Sequence, residues 1–171
     1  ATGLGKDHYQ TSSEKSGGGV LLERGCHSIS QLAAIFSDYD ISVSSVEMKQ
    51  YGGLDAEVDA QLRLSNDHST IDGEYHVSRL RPIGSSLRII CSNGTLVTDP
   101  FDPESPLRIE SESGTSLAFD TDDLAATTTH QAIYLRWREF IARMSAGRPS
   151  RASDTTPGVT RVITEMYEEA T

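Results

Sequence analysis

Glu57-Val58-Asp59-Ala60-Gln61-Leu62-Arg63-Leu64 alternates without a break. Val58, Ala60, Leu62 and Leu64 fall on one side, and Glu57, Asp59, Gln61 and Arg63 on the other. A period of two belongs to a strand with one buried face. Asn66-Asp67-His68 then supplies turn chemistry, and alternation resumes from Thr70 to Arg79. Ile71, Gly73, Tyr75 and Val77 share one face; Asp72, Glu74, His76 and Ser78 share the other. A hairpin that keeps like faces together must pair residues whose numbers sum to an odd value, because a one-residue slip swaps every side chain across the sheet.

The same signals extend in both directions. Residues 41–51, with Val43, Val46 and Met48, read as a preceding strand. Asn93-Gly94 is a strong hairpin signal between strands at 87–91 and 95–98, and a weaker pair at 107–112 and 116–119 is joined around Gly114. Upstream, Ile29, Leu32, Ala33, Ile35 and Phe36 predict a helix from near His27 to Ser37. Downstream, Ile133, Trp137, Phe140, Ile141 and Met144 form one helical stripe, ended by Gly147 and Pro149. Thr156 reads as the cap of a last helix with Pro157 at its first position; its stripe is Val159, Val162, Ile163, Met166, Tyr167 and Ala170. Both stripes are expected to pack on the sheet. The prediction is an α+β domain: an open, predominantly antiparallel β-sheet with helices on one face. It occupies residues 17–171, behind a lead-in segment or artificial boundary at 1–16. The polar face fits three uses: contact with water, packing on a second copy, or the floor of a polar ligand site.

Composition narrows the function classes. The 171 residues are 36% hydrophobic and 23% charged, and carry a net charge of −10. That suits a soluble globular domain and argues against nucleic acid, which requires clustered basic surface. Arg136, Arg138 and Arg143 share a predicted helix and read as a solvated face. No stretch approaches the roughly 20 apolar residues of a membrane helix, and the first residues lack the pattern of a secretory signal. Cys26 and Cys91, both in apolar sequence, read as reduced core residues of a cytoplasmic protein. His8, His68, His76 and His130 are too scattered to imply a metal site.

The segment with chemical content is Gly17-Gly18-Gly19-Val20-Leu21-Leu22-Glu23-Arg24-Gly25-Cys26-His27. Three glycines permit a sharp turn and a close backbone approach. Glu23 and His27 stand four apart, and they share a face if Glu23 already lies in a helical turn. A carboxylate beside an imidazole is a plausible acid/base pair; read alone, the spacing is more often that of a surface or capping pair. Arg24 fits either a contact to an anionic substituent or plain solvent exposure. His76, on the polar sheet face, is a candidate substrate-binding residue, since that face could border the pocket.

This segment resembles the glycine-rich Asp-x-x-x-His motif that opens the C-terminal domain of the Gfo/Idh/MocA oxidoreductases, the family of glucose–fructose oxidoreductase and inositol dehydrogenase. Leu62-Arg63-Leu64-Ser65-Asn66 is similar to that family's central hairpin, Ile90 to Leu96 to its Gly-Thr-Leu turn, Tyr134 to Pro149 to its penultimate helix, and Thr156 to Glu168 to its last helix. The resemblance implies an NAD(P)-dependent oxidoreductase acting on a hydroxyl carbon of a sugar, cyclitol or related polyol. It implies that His27 is the acid/base at the substrate hydroxyl, together with a lysine from the other domain, and that Glu23 contacts substrate and supports His27. It also implies a homo-oligomer through the open sheet.

Two departures qualify the resemblance. A dinucleotide-binding half takes roughly 120 or more residues with a glycine-rich βαβ unit, and nothing here fits. Gly3-Leu4-Gly5 begins like GxGxxG, but His8 stands where the third glycine belongs. Glu14-Lys15-Ser16 is not the family's Glu-Lys-Pro, so Lys15 reads as a loop lysine. The expectation is that NAD or NADP belongs to a full-length parent, with a Rossmann domain in cis or trans, and that this chain alone takes no cofactor. Second, Glu23 replaces the usual aspartate, and misplacement of about 1 Å can cost about a hundredfold in rate. An alternative expectation is a stand-alone, non-catalytic module that binds a polyol or a protein.

Overall fold

In the computed structural model of the chain, residues 13–99, 101–102, 105, 107–111, 116–119, 141–142, 145–146 and 151–171 are described. They divide between two units. One comprises residues 1–83 with 151–171, the other residues 84–150. All strand pairings among the described residues are antiparallel. The class is α+β as expected, with the strands shared between two sheets rather than one.

The first unit holds α1 (Ser13–Ser16), a π-helical turn (Leu21–Gly25), α2 (Cys26–Ile35), three strands and the last helix. The strands are β1 (Asp40–Tyr51), β2 (Leu54–Ser65) and β3 (Thr70–Ser78), in the order β1-β2-β3. Val58 faces Val77, Ala60 faces Tyr75, Leu62 faces Gly73 and Leu64 faces Ile71. Each pair sums to 135, the odd parity that the alternation demands. Gly52 and Gly53, at φ of 65° and 79°, close the β1–β2 hairpin. Two successive positive φ values give the turn whose twist suits a tight hairpin, and glycine adopts them without steric cost.

Two bulges adjust the faces. In β1 the register shifts between Val43 and Ser45, so Ser44 is the extra residue, and Val43 and Val46 both reach the core despite their three-residue spacing. In β2 the shift leaves Ala56 extra: Lys49 pairs with Glu57 and Gln50 with Asp55. An inserted residue reverses the alternation beyond it. Asp55 therefore points to the helix side, while Glu57 points to the opposite face.

The core lies between the sheet and the helices. Val58, Leu62, Leu64 and Ile41 from the strands meet Val20, Leu21 and Ile29 from the turn and α2. The last helix, α3 (Arg151–Glu169), adds Val159, Val162, Ile163 and Met166. Full burial of each such side chain is worth about 1.5–3 kcal/mol. The helix begins before Thr156, so Thr156-Pro157 is not its start. Pro157 therefore falls within the helix, without the ladder hydrogen bond to the Ser153 carbonyl.

The second unit is a meander: β4 (Leu87–Cys91), β5 (Gly94–Thr98), β6 (Leu107–Glu110) and β7 (Ser116–Phe119), paired in that order. Most of the predicted penultimate helix, with Trp137 and Phe140, lies outside the described residues, as does most of the lead-in segment. Cys91 is exposed and Cys26 half-buried, and both are free thiols. The expectation that both belong to the core fails at Cys91, because β4 is a short strand whose side chains at 88, 90 and 91 stay exposed. No helix among the described residues is long and apolar enough to cross a membrane.

Candidate functional site

The glycine turn is closed by a carboxylate that the sequence patterns did not single out. Asp55 is 5% exposed. Its Oδ1 accepts the Gly19 amide at 2.6 Å and its Oδ2 the Leu21 amide at 2.7 Å. Oδ1 also accepts the Tyr167 hydroxyl at 2.9 Å. The two amides are among the orphan donors at the start of a helical run, so Asp55 caps the π turn from a neighbouring strand. Gly19 packs so closely on Asp55 that a Cβ there would strike the Asp55 carbonyl and lie 2.6 Å from its Oδ1. Burial, then the bond to Asp55, pushes the Tyr167 phenol well above the ordinary tyrosine range.

Helical structure therefore begins at Leu21, earlier than the predicted start near His27. Glu23 lies within the π turn and His27 in the first turn of α2, so the condition for a shared helical run is met. Arg24 and His27 are exposed, and Glu23 is partly buried. The Glu23 carboxylate forms an ion pair with Arg79, which directly follows β3. One residue past His27, Ser28 Oγ lies 2.9 Å from the Tyr75 hydroxyl. Burial is the main cause that lifts the Tyr75 phenol to about 12. Strand β3 and the residue after it thus hold the helical run at Glu23 and at Ser28, on either side of His27.

His76 is not brought to this place. Tyr75 and Val77 pack toward the helices, so His76 between them faces the opposite side of the sheet. There its Nδ1 lies 2.6 Å from Asp59 and its Nε2 3.7 Å from Glu74. The same face carries Glu57, 3% exposed, bonded to Lys49 at 2.5 Å, Arg81 at 2.7 Å and Ser78 at 2.9 Å. Lys49 first, then Arg81 and Ser78, hold its carboxyl down at about 2.

A cavity of about 110 Å³ lies between α2, β1 and α3, lined by Ile29, Tyr39, Asp40 and Arg161 among others. Ligand pockets run to roughly 300–1,000 Å³, and Arg161 there is already bonded to Asp40 at 2.5 Å and to the Ile41 carbonyl at 2.9 Å. No group of three or more His, Cys, Asp or Glu side chains among the described residues is placed to hold a metal ion.

The glycine turn does not offer its Gly19 and Leu21 amides to a phosphate. Phosphate binding at a glycine turn requires free backbone amides aimed outward. Here the amides of Gly19 and Leu21 are taken by Asp55, which is itself anionic.

Fold and site together define an antiparallel α+β domain that presents a Glu-x-x-x-His helical run at a capped glycine turn. No protein-family model matches the sequence, and no curated protein matches it. Among solved structures, the chain is similar to the crystal structure of a dehydrogenase (MviM) from Clostridium difficile, with a TM-score of 0.58 and 12% identity. The match covers 87% of this chain and 47% of that one, so the chain spans about half of its structural relative. At this identity the likeness is one of fold, and a dehydrogenase shares it.

Proposed function

We propose that the chain is the substrate-binding and oligomerisation domain of an NAD(P)-dependent oxidoreductase acting at a hydroxyl carbon of a sugar, cyclitol or related polyol. The cofactor-binding domain would come from residues beyond these 171 or from another chain. The observation that carries this reading is the helical run from Glu23 to His27, locked by Asp55, on a fold shared with a dehydrogenase. His27 is exposed, so its ring can meet a substrate hydroxyl and take or return that proton. Glu23 and Arg24, on the same run, would contact the substrate's other polar groups. The polar face of β1–β3 is the proposed contact between copies, and His76 belongs to that face.

The experiment is turnover of a polyol panel by the full-length protein with and without His27→Ala. Loss of a general acid/base lowers the rate by about a hundredfold or more, whereas an exposed substitution shifts the melting temperature by only about 2 °C. Near-normal turnover would remove His27 from the chemistry. A second reading, a non-catalytic polyol- or protein-binding module, is favoured by the ion pair that commits Glu23 to Arg79. Under it no polyol is turned over in either protein.

A further inference from the structure

We propose that Arg79 is a positioning residue that sets whether Glu23 and His27 act as a pair. The inference rests on the reading of the 23–27 run as the substrate site. An acid four residues before a histidine on a helical run would ordinarily orient the imidazole and stabilise its protonated form. In this fold a guanidinium competes for that acid. The Arg79 side chain is 23% exposed and that of Glu23 30%, so the pair is less open to solvent screening than a surface pair.

Arg79 is held in place independently of Glu23. Its amide donates to the Ala56 carbonyl at 2.8 Å, at the bulge that also turns Asp55 toward the helices. Four residues earlier in the chain, Tyr75 meets Ser28 at 2.9 Å. Gly25 permits this contact: a Cβ there would lie 2.8 Å from the Tyr75 hydroxyl. Strand β3 and the residue after it therefore fix the run at two points, with His27 between them. Arg79 holds the carboxylate toward the strand, and the fork of a guanidinium keeps that geometry better than an ammonium would. His27 is thereby left to be oriented by the substrate instead of by its own chain.

The test is a pH titration of the His27 ring by NMR in the wild-type chain, Arg79→Gln, Glu23→Gln and the double variant, with His27→Gln assigning the signal. Freeing Glu23 in Arg79→Gln should raise the titration midpoint by roughly 0.2–0.4 pH unit, the size of a helical i,i+4 ion pair. Most of that rise should vanish in the Glu23→Gln background. An equal rise in both backgrounds would show mere loss of a positive charge and overturn the proposal, as would no rise in Arg79→Gln. Arg79→Lys, which keeps the charge but not the fork, should give a smaller rise that also depends on Glu23; if Arg79→Gln fails to fold, a Lys variant with no such rise overturns the proposal. Polyol binding at His27, mapped separately, distinguishes the two failures. Binding without coupling sinks only the role of Arg79, and coupling without binding sinks only the substrate reading.

Discussion

The Tyr167 hydroxyl donates a 2.9 Å hydrogen bond to the Asp55 carboxylate across 112 residues of sequence. Asp55 also takes the amides of Gly19 and Leu21, so one buried acid joins the glycine turn, the hairpin and the last helix. Asp55→Ala would orphan two buried amides, at about 1–3 kcal/mol each when left unmet, and the half-buried Tyr167 hydroxyl. Tyr167→Phe removes the bond to Asp55 but leaves the carboxylate on both amides, and should cost about 1 kcal/mol. Urea unfolding should therefore rank Asp55→Ala far below Tyr167→Phe. Equal stabilities would show that the carboxylate is not the organising group.

Gly19 and Gly73 should respond in opposite ways to alanine. At Gly19 a Cβ would meet the Asp55 backbone, which cannot move aside like a side-chain tip; at Gly73 nothing lies within 4 Å. Gly19→Ala should destabilise by about 2 kcal/mol or more, in the range of overpacked cores. Gly73→Ala, in an ordinary strand, should be neutral or stabilising by up to about 1 kcal/mol. Thermal unfolding of the two variants decides this, and a tolerated Gly19→Ala would contradict the close approach.

The Glu57 network predicts a particular acid limb. Its carboxyl is held at about 2, below the roughly 4.3 of an unfolded glutamate. A depressed value means that the folded state binds its proton later. The stabilisation is fully present above the unfolded value and is lost as pH falls from about 4 toward 2. Glu57→Gln should be less stable than wild type at neutral pH, and the gap should close below about pH 2. A gap that stays constant over this range would show that Glu57 is not the group responsible.

The polar face of β1–β3 should mediate self-association. Arg63 and Asp72, paired at 2.9 Å and largely exposed, lie on it with His76 and Glu74. Light scattering over a wide concentration range should show a dimer, and Arg63→Glu should weaken it. A strictly monomeric mass throughout would remove the oligomerisation role.

Much of the first unit was legible in the sequence. The alternation of 57–64 and 70–79 specified the strands, their faces and the parity of their register, because burial on one side leaves a period-two imprint. The bulges left no such imprint. Ala56 looks like any small residue, yet it turns Asp55 toward the helices, and so the cap on the glycine turn went unread. The helix start was placed too late for the same reason, since its capping group lies 34 residues from Leu21. Glu23 and His27 were singled out from spacing and resemblance. Arg79 was not, because its ion pair with Glu23 depends on where a strand ends relative to a helix. His76 was read from the polar face correctly, but that face is not the one that carries Glu23 and His27.

The most direct test of the site is an amide NMR titration of the chain with neutral sugars, cyclitols and other polyols. One class should perturb resonances of residues 23–28 saturably, and His27→Ala should weaken that binding. Polyols that perturb no residue of this run, or that perturb only the β1–β3 polar face, would contradict this.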